Sequence, residues 1–141
     1  YKTCSQPVIA ALNEQFDMKA DRMISALRPF AGGIVGKGET CGAVSGALLA
    51  IGAYFEPENQ SDTKKPGASM LYAKQFFERF TEEFDHTRCR EVIKHQFGRY
   101  YNWSNPEELK SFGEARAKDN KCVEVVQTAV RFAADIIMKN S

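Results

Sequence analysis

The sequence predicts an all-α protein, a compact bundle of about five to seven helices forming one domain over residues 1–141. Three observations carry that prediction. Apolar residues recur at three- and four-residue intervals in several long segments, the clearest being Val125, Val126, Ala129, Val130, Ala133, Ile136 and Ile137. Residues that favour helix starts, namely Thr3, Thr40, Thr87 and Asp119-Asn120, stand just before such segments. No segment alternates apolar and polar side chains, so no strand pattern competes.

The first helix is expected from Thr3-Cys4-Ser5-Gln6-Pro7, because Pro7 is tolerated only in a first turn and Val8, Ile9, Leu12 and Phe16 then share a face. Met18, Met23, Ile24 and Leu27 predict a short second helix that stops by Pro29. A glycine-rich loop follows over residues 30–39. A closely packed central helix is expected over residues 40–55, where Gly42, Ala43, Ser45, Gly46, Ala47, Ala50 and Ala53 let neighbouring helices approach. Residues 56–65 read as a polar, exposed linker. From about residue 68 to 84 the stripe Leu71, Phe76, Phe77, Phe80 and Phe84 reads as core packing, with Lys74, Glu78, Arg79 and Glu82 facing solvent. Thr87-Arg88-Cys89 opens a helix carrying Val92, Ile93 and Phe97. Tyr100, Tyr101 and Trp103 lie in a loop that covers one end of the bundle or serves an oligomer contact. Pro106 begins a short helix reaching about Phe112, and the last helix spans about residues 121–139.

Composition narrows the function classes. A formal net charge of +1 implies no nucleic-acid partner. The longest apolar stretch, Ala43 to Phe55, is too short to insert into a membrane and too rich in small residues. No nucleotide is expected at the glycine loop, because Gly32 to Gly36-Lys37 is one residue short of a phosphate-binding loop and Gly38 occupies its Ser/Thr position. There is no CxxC pair, no zinc-finger spacing and no CxxCH site for haem. The sequence starts at Tyr1 and displays no signal peptide, which sets the expectation of a cytoplasmic protein with a processed N-terminus.

What remains is the placement of the four cysteines. Cys4, Cys41, Cys89 and Cys122 each fall at, or just inside, an expected helix start. There the macrodipole and unpaired N–H groups lower a thiol pKa from about 8.5, and thiolate is the form that ligates metal and attacks disulfides. Cysteine is also a small apolar residue that packs inertly in helix interfaces, so each alone reads as core. Arg88, Arg90, Glu91 and Lys94 form an exposed face whose cations favour a Cys89 thiolate. Glu39 orients a thiol or merely solvates its loop. His86 and His95 read as a cap and a surface group rather than ligands.

The run Gly38-Glu39-Thr40-Cys41-Gly42-Ala43-Val44-Ser45-Gly46-Ala47 resembles the signature of the redox-active C_GCAxxG_C_C proteins, whose CGAxxG core is matched by Cys41-Gly42-Ala43-Val44-Ser45-Gly46. Cys4, Cys89 and Cys122 fill the family's three other cysteine positions, so the resemblance covers nearly the whole chain. It implies a prokaryotic redox protein that uses its cysteines together, with a redox partner protein; a homo-oligomer stays open.

Two chemistries answer that description. In the first, Cys4, Cys41, Cys89 and Cys122 ligate an iron–sulfur cluster for electron transfer, with Gly42 and the glycine loop letting backbone approach it. In the second, Cys41 is a low-pKa nucleophile and another cysteine resolves the mixed disulfide. A structural zinc site held by the four thiolates, or four cysteines that merely pack, are the non-catalytic alternatives.

Overall fold

A computed structural model describes residues 3–56 and 67–141. Seven α-helices occupy the described residues: α1 (Ser5–Phe16), α2 (Asp21–Ala26), α3 (Gly42–Phe55), α4 (Ser69–Phe84), α5 (Cys89–Phe97), α6 (Pro106–Lys118) and α7 (Cys122–Asn140). A single 3-10 turn, Arg28–Phe30, follows α2. Among these residues there are no strands, only an isolated antiparallel bridge between Thr40 and Arg88. The all-α expectation holds. Most of the linker expected over residues 56–65 lies outside the described residues.

Helix α3 is the centre of the bundle, packed against α1, α4 and α7. Its buried face is Gly42, Ala43, Val44, Gly46, Ala47, Ala50 and Ile51. The closest crossing is with α1: a Cβ on Gly46 would lie 2.4 Å from the Ser5 carbonyl oxygen, and one on Gly42 would lie 3.2 Å from the Cys4 Cβ. The first turn of α1 thus rests on the glycine edge of α3. Ser5 and Gln6, both buried there, are satisfied across the bundle: Ser5 Oγ donates to the Leu27 carbonyl and Gln6 Nε2 to the Ile24 carbonyl.

Helix α4 buries Phe76, Phe80 and Phe84, four residues apart on one face. Each such ring contributes about 1.5–3 kcal/mol through burial. The expected stripe is narrower than the sequence suggested. Phe77 is 42% exposed because it sits 100° round the helix from Phe76, and Leu71, in the first turns, is 57% exposed.

Helix α6 is the other departure. The segment expected to end near Phe112 continues to Lys118. Gly113 does not stop it, since strong helix formers follow, and Asn105 caps its start by accepting from the Glu107 and Glu108 N–H groups. The extension places Arg116 one turn beyond Phe112 on the same face.

The apolar interior divides into two clusters. The main core runs along α1, α3, α4 and α7; a satellite gathers Cys89, Ile93, Tyr101 and Phe112, with Phe97, Trp103, Ala115 and Cys122 against it. Tyr101 and Trp103 therefore cover one end of the bundle, and the seam between the clusters holds the cysteines.

Candidate functional site

All four cysteines stand at helix N-termini, as the sequence indicates. Cys4 and Cys41 are the N-cap residues of α1 and α3, while Cys89 and Cys122 are the first residues of α5 and α7. Those four starts converge on one cavity of about 60 Å³. Its wall includes every cysteine, the backbone of Gly32, Gly33 and Gly42, the aromatics Trp103 and Phe112, and Arg116.

Local hydrogen bonding explains how each thiol reaches it. Cys41 N–H donates to the Thr87 carbonyl and Cys89 N–H to the Glu39 carbonyl, so the starts of α3 and α5 are stitched side by side. The glycine loop passes over this pair. Gly33 has φ +69°, and a Cβ there would lie 2.5 Å from the Cys89 Cβ, so only glycine fits. Thr3 Oγ1 accepts from the Gln6 N–H at the start of α1, and Asn120 Oδ1 accepts from the Cys122 N–H at the start of α7. Gln96 Nε2 donates to the Lys121 carbonyl, fastening the end of α5 to the start of α7.

The thiols divide into an inner and an outer pair. Cys41 and Cys89 are buried, whereas Cys4 and Cys122 are part-exposed and also line a groove of about 240 Å³ with Thr3, Pro7, Arg116, Asn120, Val123 and Val126. Burial pushes the Cys41 thiol up to about 12, outweighing the N–H groups of Ala43 and Val44 that pull it down. Burial likewise drives Cys89 well above its usual range, with Cys41 and Cys4 adding to the effect and Arg116 and Arg90 opposing it. Cys4 is the exception. The Cys122 thiol, within hydrogen-bonding reach of its sulfur, and to a smaller extent the Arg116 charge, lower Cys4 to about 7 against the cost of burial. Cys122, as the donor in that pair, is raised.

The expectation that a helix start lowers a thiol pKa is therefore corrected for Cys41, Cys89 and Cys122. Desolvation exceeds the dipole at Cys41 and Cys89, and a hydrogen bond between thiols decides Cys122. The lowered thiol is Cys4 rather than Cys41.

The neighbouring candidates take structural parts. The Glu39 carboxylate pairs with Arg88 at 3.4 Å, away from the thiols. Arg90 Nη2 donates to the Lys37 carbonyl, and its guanidinium lies 5.0 Å from the centre of the Tyr100 ring. His86 Nδ1 accepts from the Thr87 and Arg88 N–H groups in the turn ahead of α5, and His95 lies 3.8 Å from Asp85. Neither lines the cavity.

Arg116, Trp103 and Phe112 were not expected at the site. Phe112 and Arg116 lie four apart, and extending the α6 reading by one turn is the signal that brings them together. Two buried N–H donors on this wall, Trp103 Nε1 and Arg116 Nε, have no partner. Among the described residues no three His, Cys, Asp or Glu side chains are arranged to hold a metal ion, and no helix is long and apolar enough to cross a membrane.

The model of the family described as "Putative redox-active protein (C_GCAxxG_C_C)" matches residues 2–136. No curated protein and no solved structure matches the chain.

Proposed function

The chain belongs to the C_GCAxxG_C_C family of redox-active proteins, and from that membership and the meeting of its four thiols we propose that it transfers electrons through an iron–sulfur cluster held by Cys4, Cys41, Cys89 and Cys122. The observation that carries this reading is the convergence of four cysteines, distant in sequence and each on a different helix, on one largely apolar cavity. A thiol pair would serve disulfide chemistry; four match the usual ligand count of a cluster.

The wall suits such a group. Sulfur accepts hydrogen bonds weakly but repeatedly, and the helix starts present backbone N–H groups at each cysteine. The unpartnered N–H of Trp103 and of Arg116 Nε, each costing about 1–3 kcal/mol while unsatisfied, would gain acceptors. Ligation requires the four side chains to turn toward a common centre and to lose their protons, which the cluster's iron supplies the driving force for. When bound, the cluster would exchange single electrons with a partner protein.

A second reading rests on the outer pair. Cys4, lowered to about 7, is the reactive thiolate of the metal-free protein, and Cys122 is within hydrogen-bonding reach of it. The Cys4 thiolate would attack a partner disulfide; Cys122 would then displace the partner as a dithiol, leaving a Cys4–Cys122 disulfide and two electrons on the partner.

Anaerobic purification with iron, acid-labile sulfide and visible absorption measured on one sample tests both. The expected result is a coloured protein with matching iron and sulfide, lost in Cys4→Ser and Cys122→Ser. A colourless protein that stays metal-free after anaerobic reconstitution, and that forms a Cys4–Cys122 disulfide on mild oxidation, would replace the first reading by the second.

A further inference from the structure

The glycine loop follows an uncommon backbone path. Every residue from Gly32 to Gly36 has a positive φ, between +46° and +73°, which makes a left-handed turn. Gly32, Gly33 and Gly36 enter that region without strain, but Ile34 and Val35 carry branched side chains that crowd it. Glycine or asparagine would hold the same turn more cheaply. The core gains little in exchange, since Val35 is 65% exposed and Ile34 is exposed as well. Strained apolar side chains that the core does not use imply a use outside the chain.

The surface beside them is shaped and charged for one. Val35 N–H donates to the Pro29 carbonyl and Ile34 N–H to the Phe30 carbonyl, which ties the turn to the edge of an apolar groove of about 630 Å³. Met23, Leu27 and Phe30 line this groove on one side, and Leu48 and Leu49 of α3 on the other; no carboxylate lines it. Residues 22–38 include Arg22, Arg28 and Lys37 but no Asp or Glu. All three cations are exposed, and none is in an ion pair among the described residues. The carboxylates that bound the segment are engaged: Asp21 accepts from Asn13, and Glu39 pairs with Arg88.

We propose that the groove and the Ile34–Val35 turn dock an acidic amphipathic helix of a partner protein, its apolar side chains in the groove and its carboxylates against Arg22, Arg28 and Lys37. A second copy of this chain fits less well, because a two-fold contact through this face sets like charges against each other. A bilayer fits less well because a flat surface leaves the groove unfilled. Ala31, Gly32 and Gly33 of the same loop line the four-thiol cavity, so the docked partner lies against the outside of that wall. That electrons pass there rests on the proposed function; the docking does not.

The test uses the whole chain, reduced and metal-free, with folding checked by circular dichroism. The probe is a fluorescein-labelled helical peptide with leucines on one face and glutamates on the other, its binding read by fluorescence anisotropy. It should bind at least about tenfold tighter than the same peptide with lysine in place of glutamate. The double substitution Arg22→Glu with Arg28→Glu should weaken binding by about tenfold. Val35→Asn should weaken it about threefold while raising Tm by about 3 °C, because asparagine accepts the left-handed backbone. That opposition of affinity and stability is the signature of a side chain kept for a partner. A glutamate peptide bound no tighter than the lysine peptide would overturn the proposal, and so would a Val35→Asn protein that melts below wild type, since valine would then serve the fold. Should the double variant not fold, Val35→Asn decides on both readouts. Binding to phosphatidylglycerol vesicles, or a dimer in sedimentation, that the same substitutions abolish while the peptide does not bind would overturn the proposal in favour of a bilayer or a second copy. Failure of the wild type to assemble a cluster would overturn the proposed function and leave the peptide affinities to decide the docking.

Discussion

Replacing Gly46 by alanine tests the claim that the glycine edge of α3 exists to seat the first turn of α1. The added Cβ would stand 2.4 Å from the Ser5 carbonyl oxygen, 3.1 Å from its carbon and 3.2 Å from its Cα. Ordinary contact begins near 3.4 Å, so α1 must retreat by about 1.0 Å at this point. The obstructing atoms are backbone and cannot rotate away. Overpacking of this kind costs about 1–3 kcal/mol, and the retreat also stretches the buried bonds from Ser5 to Leu27 and from Gln6 to Ile24, each contributing about 0.5–1.5 kcal/mol. Against this, alanine in a helix interior returns up to about 1 kcal/mol. The net loss is about 2–3 kcal/mol, which lowers Tm by about 8 °C in a chain of this size. Gly52→Ala is the internal control: the same helix, but nothing within 4 Å of the new Cβ, so it should gain about 0.5–1 kcal/mol. Urea and thermal unfolding of both variants give the difference directly. A Gly46→Ala protein as stable as Gly52→Ala, with Cys4 alkylated at the wild-type rate, would refute the close-packing account of the motif's second glycine.

Three further outcomes follow from the same geometry. In the reduced, metal-free protein, between pH 7 and 9 the unfolded chain still holds the proton that folded Cys4 has released, so stability rises by about 1.4 kcal/mol per pH unit. Above pH 9 the unfolded chain releases protons that folded Cys41, Cys89 and Cys122 retain, so stability falls, Cys41 alone accounting for about 4 kcal/mol by pH 12. Urea midpoints that climb steadily from pH 7 through pH 11 would contradict this assignment. Gly33→Ala combines a φ of +69° with a Cβ 2.5 Å from that of Cys89, and should cost about 2 kcal/mol or more and reduce iron retention after reconstitution; unchanged stability would show that the loop does not press on Cys89. Trp103→Phe removes a buried N–H without a partner, so the lost ring area is offset and the metal-free protein should change by less than about 1 kcal/mol. A loss of more than about 2 kcal/mol in calorimetry would mean that the indole N–H already has a protein partner.

The sequence discloses the site's membership better than its wiring. Cys4, Cys41, Cys89 and Cys122 are visible at helix starts because the signals are local, as where the Thr3 and Asn120 side chains accept from the Gln6 and Cys122 N–H groups. Periodicity locates α7 and the buried ring of Phe76, Phe80 and Phe84, since burial repeats with the helix turn. Arg116 is hidden for a different reason. The helix is expected to end near Phe112, yet α6 runs on through Gly113 to Lys118, and the side chain that matters falls in the added turn. The pairing of Cys4 with Cys122, which decides which thiol ionises, joins residues more than a hundred positions apart and leaves no local trace. For the same reason a helix dipole argument applied to each cysteine singly lowers all four thiols alike, whereas Cys4 alone is lowered.

The motif Cys41-Gly42-Ala43-Val44-Ser45-Gly46 is then best understood as a packing instruction wrapped around a ligand. Cys41 faces the cavity, but Gly42 and Gly46 act on another helix: one leaves room for Cys4 itself, 3.2 Å from where a Cβ would be, and the other for the Ser5 backbone. Ala43 and Ala47, each one residue further round the helix, are fully buried in the core. A change at Gly46 should therefore be felt first at Cys4, although the two are more than forty residues apart and Gly46 does not line the cavity. The inner pair is held differently, by the backbone bonds between Thr87 and Cys41 and between Glu39 and Cys89. Because those bonds do not depend on the α1–α3 crossing, Cys41 and Cys89 should keep their slow alkylation when Gly46→Ala accelerates or slows Cys4. That separation distinguishes a site built from two independently fastened thiol pairs from one held by a single rigid frame.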